Sequence, residues 1–161
     1  AFKFCIRQHA GPLFWLLGVS MLKIVLRQMQ RSNGLIDDVV VYGAPEDYQK
    51  FSEQVKAAVS SSNAVVLQSD TSICIEITKC NESDDLFTSL QNENNEYFTT
   101  KAWEARNILR VSGSEKLLTE LSLFLSDLSG RGEGYSYISE FSDHSEYSSH
   151  SPEWRLHVQN T

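Results

Sequence analysis

The chain predicts an α+β domain of two βαββ-like units that share a mainly antiparallel sheet, with both helices packed on one face. Two observations carry this. A strand ending in glycine, an amphipathic helix with an acidic first turn and two further strands follow one another over about residues 38–80, and the same order returns over about 107–159. The strand-ending glycines, Gly43 and Gly113, stand at matching places in the two units. A unit of this kind has one apolar helix stripe and one apolar sheet face, so two units can bury both in one core. At 161 residues the chain is long enough for such a core without disulfides.

The apolar run from Pro12 follows Lys3 and Arg7 and has the look of a signal-peptide core, but Lys23 interrupts it and no small-x-small cleavage site follows. It also falls short of the roughly 18 uninterrupted apolar residues of a membrane helix. Residues 1–20 are therefore expected to be an upstream extension, with the domain occupying 21–161 and Met21 as its start. Leu22, Ile24 and Leu26 alternate with Lys23, Val25 and Arg27 as in a half-buried strand, and Ser32-Asn33-Gly34 predicts a hairpin into Asp38–Tyr42. Pro45, Glu46 and Asp47 suit the first turn of a helix whose stripe is Tyr48, Phe51, Val55, Ala58 and Val59. In SICIEIT, Ile73, Ile75 and Ile77 share one face and Cys74, Glu76 and Thr78 the other.

Residues 81–106 are polar but carry Leu86, Phe87, Leu90, Tyr97, Phe98 and Trp103. Burial of each large apolar side chain is worth about 2 kcal/mol, which argues against a free linker. The expectation is a short helix over Asp84–Leu90, a polar turn and an irregular piece packed on the sheet. The second unit opens with NILRVSG. Its Ser112-Gly113-Ser114-Glu115 suggests a capping box, Leu117, Leu118, Leu121, Phe124, Leu125 and Leu128 form the helix stripe, and Gly130 is the expected stop. GYSYISEF and PEWRLHV read as closing strands, the latter with Trp154, Leu156 and Val158 inward and Glu153, Arg155 and His157 outward.

Net charge is −7, and without residues 1–20 the balance is 12 basic against 21 acidic side chains. That surplus repels nucleic acid and anionic membranes and favours a basic protein partner, or serves solubility alone. Tyr135 and Tyr137 mimic an RNA-stacking platform, but with this charge a packing or protein-binding role is the stronger reading. Cys5, Cys74 and Cys80 show no metal spacing. Cys74 and Cys80 are about 20 Å apart if the strand is extended, so burial in a reducing cytoplasm is expected for the cysteines.

His144, His150 and His157 fall beside Asp143, Glu146 and Glu153 without motif spacing, so a solvated loop is a better account than a metal site. Ser129–Gly134 is glycine-rich, but it leaves a helix C-terminus, the wrong end for an anion. Neither a nucleophile elbow nor a dinucleotide pattern is present. No catalytic set, metal or cofactor is expected. Most acidic residues, such as Glu46, Asp47, Asp84 and Asp85, read as solvated charge; a functional reading is an acidic surface with exposed aromatics that enters a cationic groove.

The run ILRVSGSEKLLTELSLFLSDLS, then GYSYIS and SPEWRLHV, resembles a bacterial immunity-protein family encoded beside polymorphic toxins, the one numbered thirty-two. The likeness covers about residues 107–158, and Tyr135 and Tyr137 stand where that family often has two histidines. It implies a non-enzymatic inhibitor that covers a toxin's active site. The candidate partner-binding residues are Tyr135, Tyr137, Glu140, Arg155 and His157. The alternative is a small enzyme or ligand-binding domain with a pocket near Glu140, Arg155 and His157.

Overall fold

The computed structural model describes residues 21–32, 34–92, 101, 104–142 and 146–160. The proposed extension over 1–20, and Tyr97, Phe98, Trp103 and His144, lie outside the described residues. Strands β1 (Lys23–Arg31) and β2 (Gly34–Gly43) form the expected hairpin, in register from Lys23 opposite Tyr42 to Arg31 opposite Gly34. Helix α1 (Pro45–Ser60) follows, its Asp47 carboxylate accepting the Ala44 N–H at 2.8 Å. Next come β3 (Val65–Gln68), β4 (Cys74–Lys79), β5 (Phe87–Gln91) and β6 (Ile108–Gly113). Helix α2 (Glu115–Arg131), β7 (Gly134–Tyr137), a 3₁₀ turn (Ile138–Phe141) and β8 (Glu153–Val158) complete the chain.

The fold is α+β, but the described strands form two mixed sheets rather than one shared sheet, in the orders β1-β2-β8-β7 and β3-β4-β6-β5. The cause is how the units exchange strands. Each opening strand, β2 or β6, stays with its preceding hairpin partner, while the hairpin after the helix crosses to the other unit's opening strand. Thus β8 runs parallel to β2, and β4 runs parallel to β6. The four remaining pairs are antiparallel. Read as β5-β6-β4-β3, the second sheet repeats the first in strand order and in every strand direction.

One core unites both sheets and both helices. Ile24, Val39, Val41, Trp154 and Leu156 enter it from the first sheet, Ile75, Ile77, Leu109 and Val111 from the second. The helices supply Tyr48, Phe51, Val55, Leu118, Leu121 and Leu125. Phe51 stacks on Trp154 with centroids 6.4 Å apart. The Tyr48 hydroxyl donates to the His157 carbonyl at 2.6 Å, which pins α1 to β8, and burial holds its pKa far above the usual range for tyrosine. Ser52 donates to the Ser122 carbonyl at 2.6 Å and ties the helices together. A bidentate pair from Arg106 to Asp37, at 2.9 Å for both bonds, joins β2 to the segment entering β6.

Several local expectations need correction. The stretch expected as a helix over Asp84–Leu90 holds β5 instead, because Leu86, Thr88 and Leu90 are buried at a spacing of two while Phe87 is partly exposed. Only the serine half of the capping box forms: Ser114 is the N-cap and accepts the Leu117 N–H, and Glu115 sits too early to reciprocate. The stop falls at Gly132, whose φ of 90° suits glycine, two residues beyond Gly130. Phe124 is only partly buried, at the rim of the core under the Arg131 guanidinium. Cys74 is disulfide-bonded, against the expectation of reduced thiols throughout, while Cys80 is free and exposed.

Candidate partner-binding face

The alternation that sends Val39, Val41, Trp154 and Leu156 into the core sends their neighbours to the opposite face of the first sheet. The registers then assemble a lattice there. One row runs Lys23, Tyr42, His157 and Tyr135 across the four strands, the next Val25, Val40, Arg155 and Tyr137, and a third Arg27, Asp38 and Glu153. Four of the five residues singled out from sequence, Tyr135, Tyr137, Arg155 and His157, are therefore neighbours on one surface.

The rings make a continuous stack. Tyr42 lies on His157 at 4.9 Å between centroids, Tyr135 tilts over the same imidazole at 5.3 Å, and Tyr137 meets Tyr135 edge-on at 5.8 Å. Tyr135 is 58% exposed and Tyr137 39%, unusually open for large rings. Burial between its neighbours, with Arg155 and Arg27 nearby, lowers the His157 pKa below its usual value. The imidazole is thus neutral at pH 7 and behaves as part of the aromatic surface.

The carboxylates around this array are already engaged. Asp38 takes the Arg27 guanidinium, with Nε at 3.0 Å. Glu153 accepts the Ser139 N–H at 3.2 Å and its hydroxyl at 2.8 Å. Glu140 accepts the Tyr137 N–H at 2.6 Å. Glu140 is thereby a brace for the turn after β7 rather than a member of the stacked array, and no hydrogen bond among the described residues joins it to Arg155 or His157. Arg155 is the exception: its Nε is shut away from solvent and has no acceptor. The expected acidic contact surface is not what surrounds the exposed rings; this face is aromatic with an unmatched guanidinium.

Three cavities among the described residues flank the sheet, one of them of about 210 Å³ beside Leu26, Asp37 and Arg106, and none is lined by Arg155 or His157. A second of about 230 Å³ lies beside Leu128, Arg131, Tyr135 and Val158. The third, of about 430 Å³, is lined largely by serines, with Tyr147 and Glu153. Their hydroxyls are taken up locally: Ser142 donates to Glu146, and Ser151 accepts the Thr88 N–H. No group of three or more His, Cys, Asp and Glu among the described residues could hold a metal ion, and His150 is exposed.

Sequence reasoning missed Tyr42 and Lys23. Their outward phase was readable, but their position beside β8 depends on a parallel pairing between segments more than a hundred residues apart, which leaves no local signal. No described helix is long and apolar enough to cross a membrane. Compared with known protein families, with curated proteins and with solved structures, the chain has no match.

Proposed function

We propose that the protein is a non-enzymatic binding protein of the bacterial immunity or antitoxin type, which neutralises a cognate toxin by covering its active site. The observation that supports this most is the outward array of Tyr42, His157, Tyr135 and Tyr137 with Arg155 among them. Tyrosine and arginine are the residues that dominate protein interface energetics, because they offer large rigid contact area and several donors at low entropic cost. Inhibition by cover needs surface complementarity and no catalytic residue.

The net charge of −7 favours a basic toxin domain as the partner, and disfavours nucleic acid and anionic membrane. A cytoplasmic location is part of the proposal. It rests on the immunity reading alone, since the disulfide at Cys74 removes the argument from reduced thiols.

The test is co-expression with the toxin encoded beside the gene. Wild-type protein rescues growth, with an association rate that falls as salt rises, because charge steering is screened over about 10 Å at 0.1 M. The double variant Tyr135→Ala/Tyr137→Ala loses rescue while His150→Ala keeps it. Full rescue by the double variant would move the contact surface elsewhere. A turnover activity abolished by His157→Ala would replace binding with catalysis.

A further inference from the structure

The two sheets can be laid over each other by their registers, with Gly43 matched to Gly113. The cross-strand pair Val40 and Arg155 then falls where the second sheet has Arg110 and Glu76. In the second sheet the charge is answered inside the molecule: Arg110 forms an ion pair with the Glu76 carboxylate, 3.1 Å from its Nε, although that Nε makes no aligned hydrogen bond, and another of its nitrogens donates to Gln91. In the first sheet the arginine faces a valine. Asp38, Glu140 and Glu153 are each held by another donor, and no ion pair or hydrogen bond among the described residues reaches the Arg155 guanidinium.

We infer that Arg155 is the anchor for a carboxylate of the partner protein, an Asp or Glu side chain that meets the terminal nitrogens of the guanidinium between the Tyr42–His157 stack and Tyr137. This rests on the reading of the face as a protein-contact surface and adds the chemistry of the partner's contact. The Nε is out of a partner's reach, so the contact falls on the two terminal nitrogens, whose planar fork a carboxylate matches. The surrounding rings exclude water from that contact, which strengthens it. A phosphate would satisfy the same fork, but a nucleic acid would bring a run of phosphates against a chain of net charge −7.

The probe is the peptide acetyl-Gly-Glu-Gly-amide against its glutamine twin, titrated into the ¹⁵N-labelled full chain, with decathymidylate as the nucleic-acid arm. The Glu peptide is expected to shift the Arg155 Nε–H resonance and those of Tyr135 and Tyr137, with half-saturation at a concentration about fivefold or more below that of the Gln twin. Arg155→Met abolishes the difference between the twins with an unchanged thermal midpoint, and Arg155→Lys retains part of it. Equal titration by the twins, no response of Arg155 to either, or tighter binding of decathymidylate through the same residues would overturn the inference. Charge-selective binding with no toxin rescue would sink the immunity reading alone; rescue without selectivity would sink only the carboxylate anchor.

Discussion

The two sheets are the same construction put to different uses. Both order their strands alike, both place a parallel pair at the centre, and both send alternate residues into one common core. Their outward faces diverge. Where the first sheet pairs Tyr42 with His157 and Val40 with Arg155, the second pairs Ser112 with Thr78 and Arg110 with Glu76. On the second sheet, Cys74 and Ile108 are even buried on the outward side. The inward faces are constrained to be alike by the shared core, whereas the outward faces answer to whatever each one meets. The second sheet pairs its arginine with Glu76 inside the molecule; the first leaves exposed rings and a guanidinium with no ion pair among the described residues. That difference, rather than any motif in the chain, is what supports our proposal of the first sheet as the contact surface.

The likeness breaks most sharply at the matched glycines. Neither takes an unusual φ, so space is what each provides. A Cβ on Gly43 would meet Leu22 Cδ2 at 2.6 Å and both Asp47 Cβ and the Tyr48 ring at 3.2 Å. The leucine tip can swing aside; the first turn of α1, held by the Asp47 cap and the Tyr48 hydroxyl, cannot. On Gly113 a Cβ would meet Leu86 Cδ1 at 2.9 Å and then Leu117 Cβ at an ordinary 3.5 Å. Gly43→Ala is therefore expected to cost about 2–3 kcal/mol and Gly113→Ala about 1 kcal/mol, both from overpacking. Chemical denaturation of the two variants measures this, and equal losses would mean that the helix starts are equally yielding.

How much of this could be read beforehand follows the same division. Whatever depends on alternation within one segment was legible: the inward sets Ile73, Ile75, Ile77 and Trp154, Leu156, Val158, and the outward phase of Arg155 and His157. The repeat of units was legible too, since Gly43 and Gly113 recur with the helix behind them. What failed required knowledge of a neighbour. Residues 84–90 read as a helix because Leu86, Phe87 and Leu90 fit a spacing of three to four, yet pairing with β6 imposes a spacing of two and leaves Phe87 outside. Phe124 fits its stripe but lies at the core's rim, where nothing in α2 itself marks the boundary. The exchange of hairpins between units, which makes two sheets and brings Tyr42 to His157, has no signature in either segment alone.

The outward faces should respond oppositely to loss of an arginine. Arg110→Met leaves Glu76, with only 12% of its side chain exposed, without its cation. A cost of about 1–2 kcal/mol is expected, below that of a fully buried pair because Arg110 is partly open to solvent. Arg155→Met removes a charge that has no internal partner among the described residues and leaves an apolar side chain beside Val40, so stability should stay within about 0.5 kcal/mol of wild type or rise. Thermal and urea unfolding of the two variants side by side decide it. A loss at Arg155 as large as that at Arg110 would reveal an internal role for the guanidinium and weaken its assignment to a partner.

The smallest expected effect is a pH dependence particular to the first sheet. Burial, then the charges of Arg155 and Arg27, lower the folded-state pKa of His157 below the ordinary 6.5. On the same side of the sheet, Tyr42 and Tyr135 pack against its ring and bring no counter-charge at neutral pH. With the folded pKa below the unfolded one, the unfolded chain takes up a proton first as the solution is acidified. The favourable contribution of neutral His157 is therefore fully present above about pH 6.5 and is lost as pH falls through the lower, folded-state value. Thr78, at the matching place in the second sheet, has nothing to titrate in this range. Stability should thus fall more between pH 7 and 5 in the wild type than in His157→Gln, and NMR titration of the ring should place its midpoint below that of an unfolded reference peptide. Parallel stability curves for the two proteins, or a midpoint above the reference, would mean that His157 stands freer of the tyrosines and Arg155 than the stacked geometry requires.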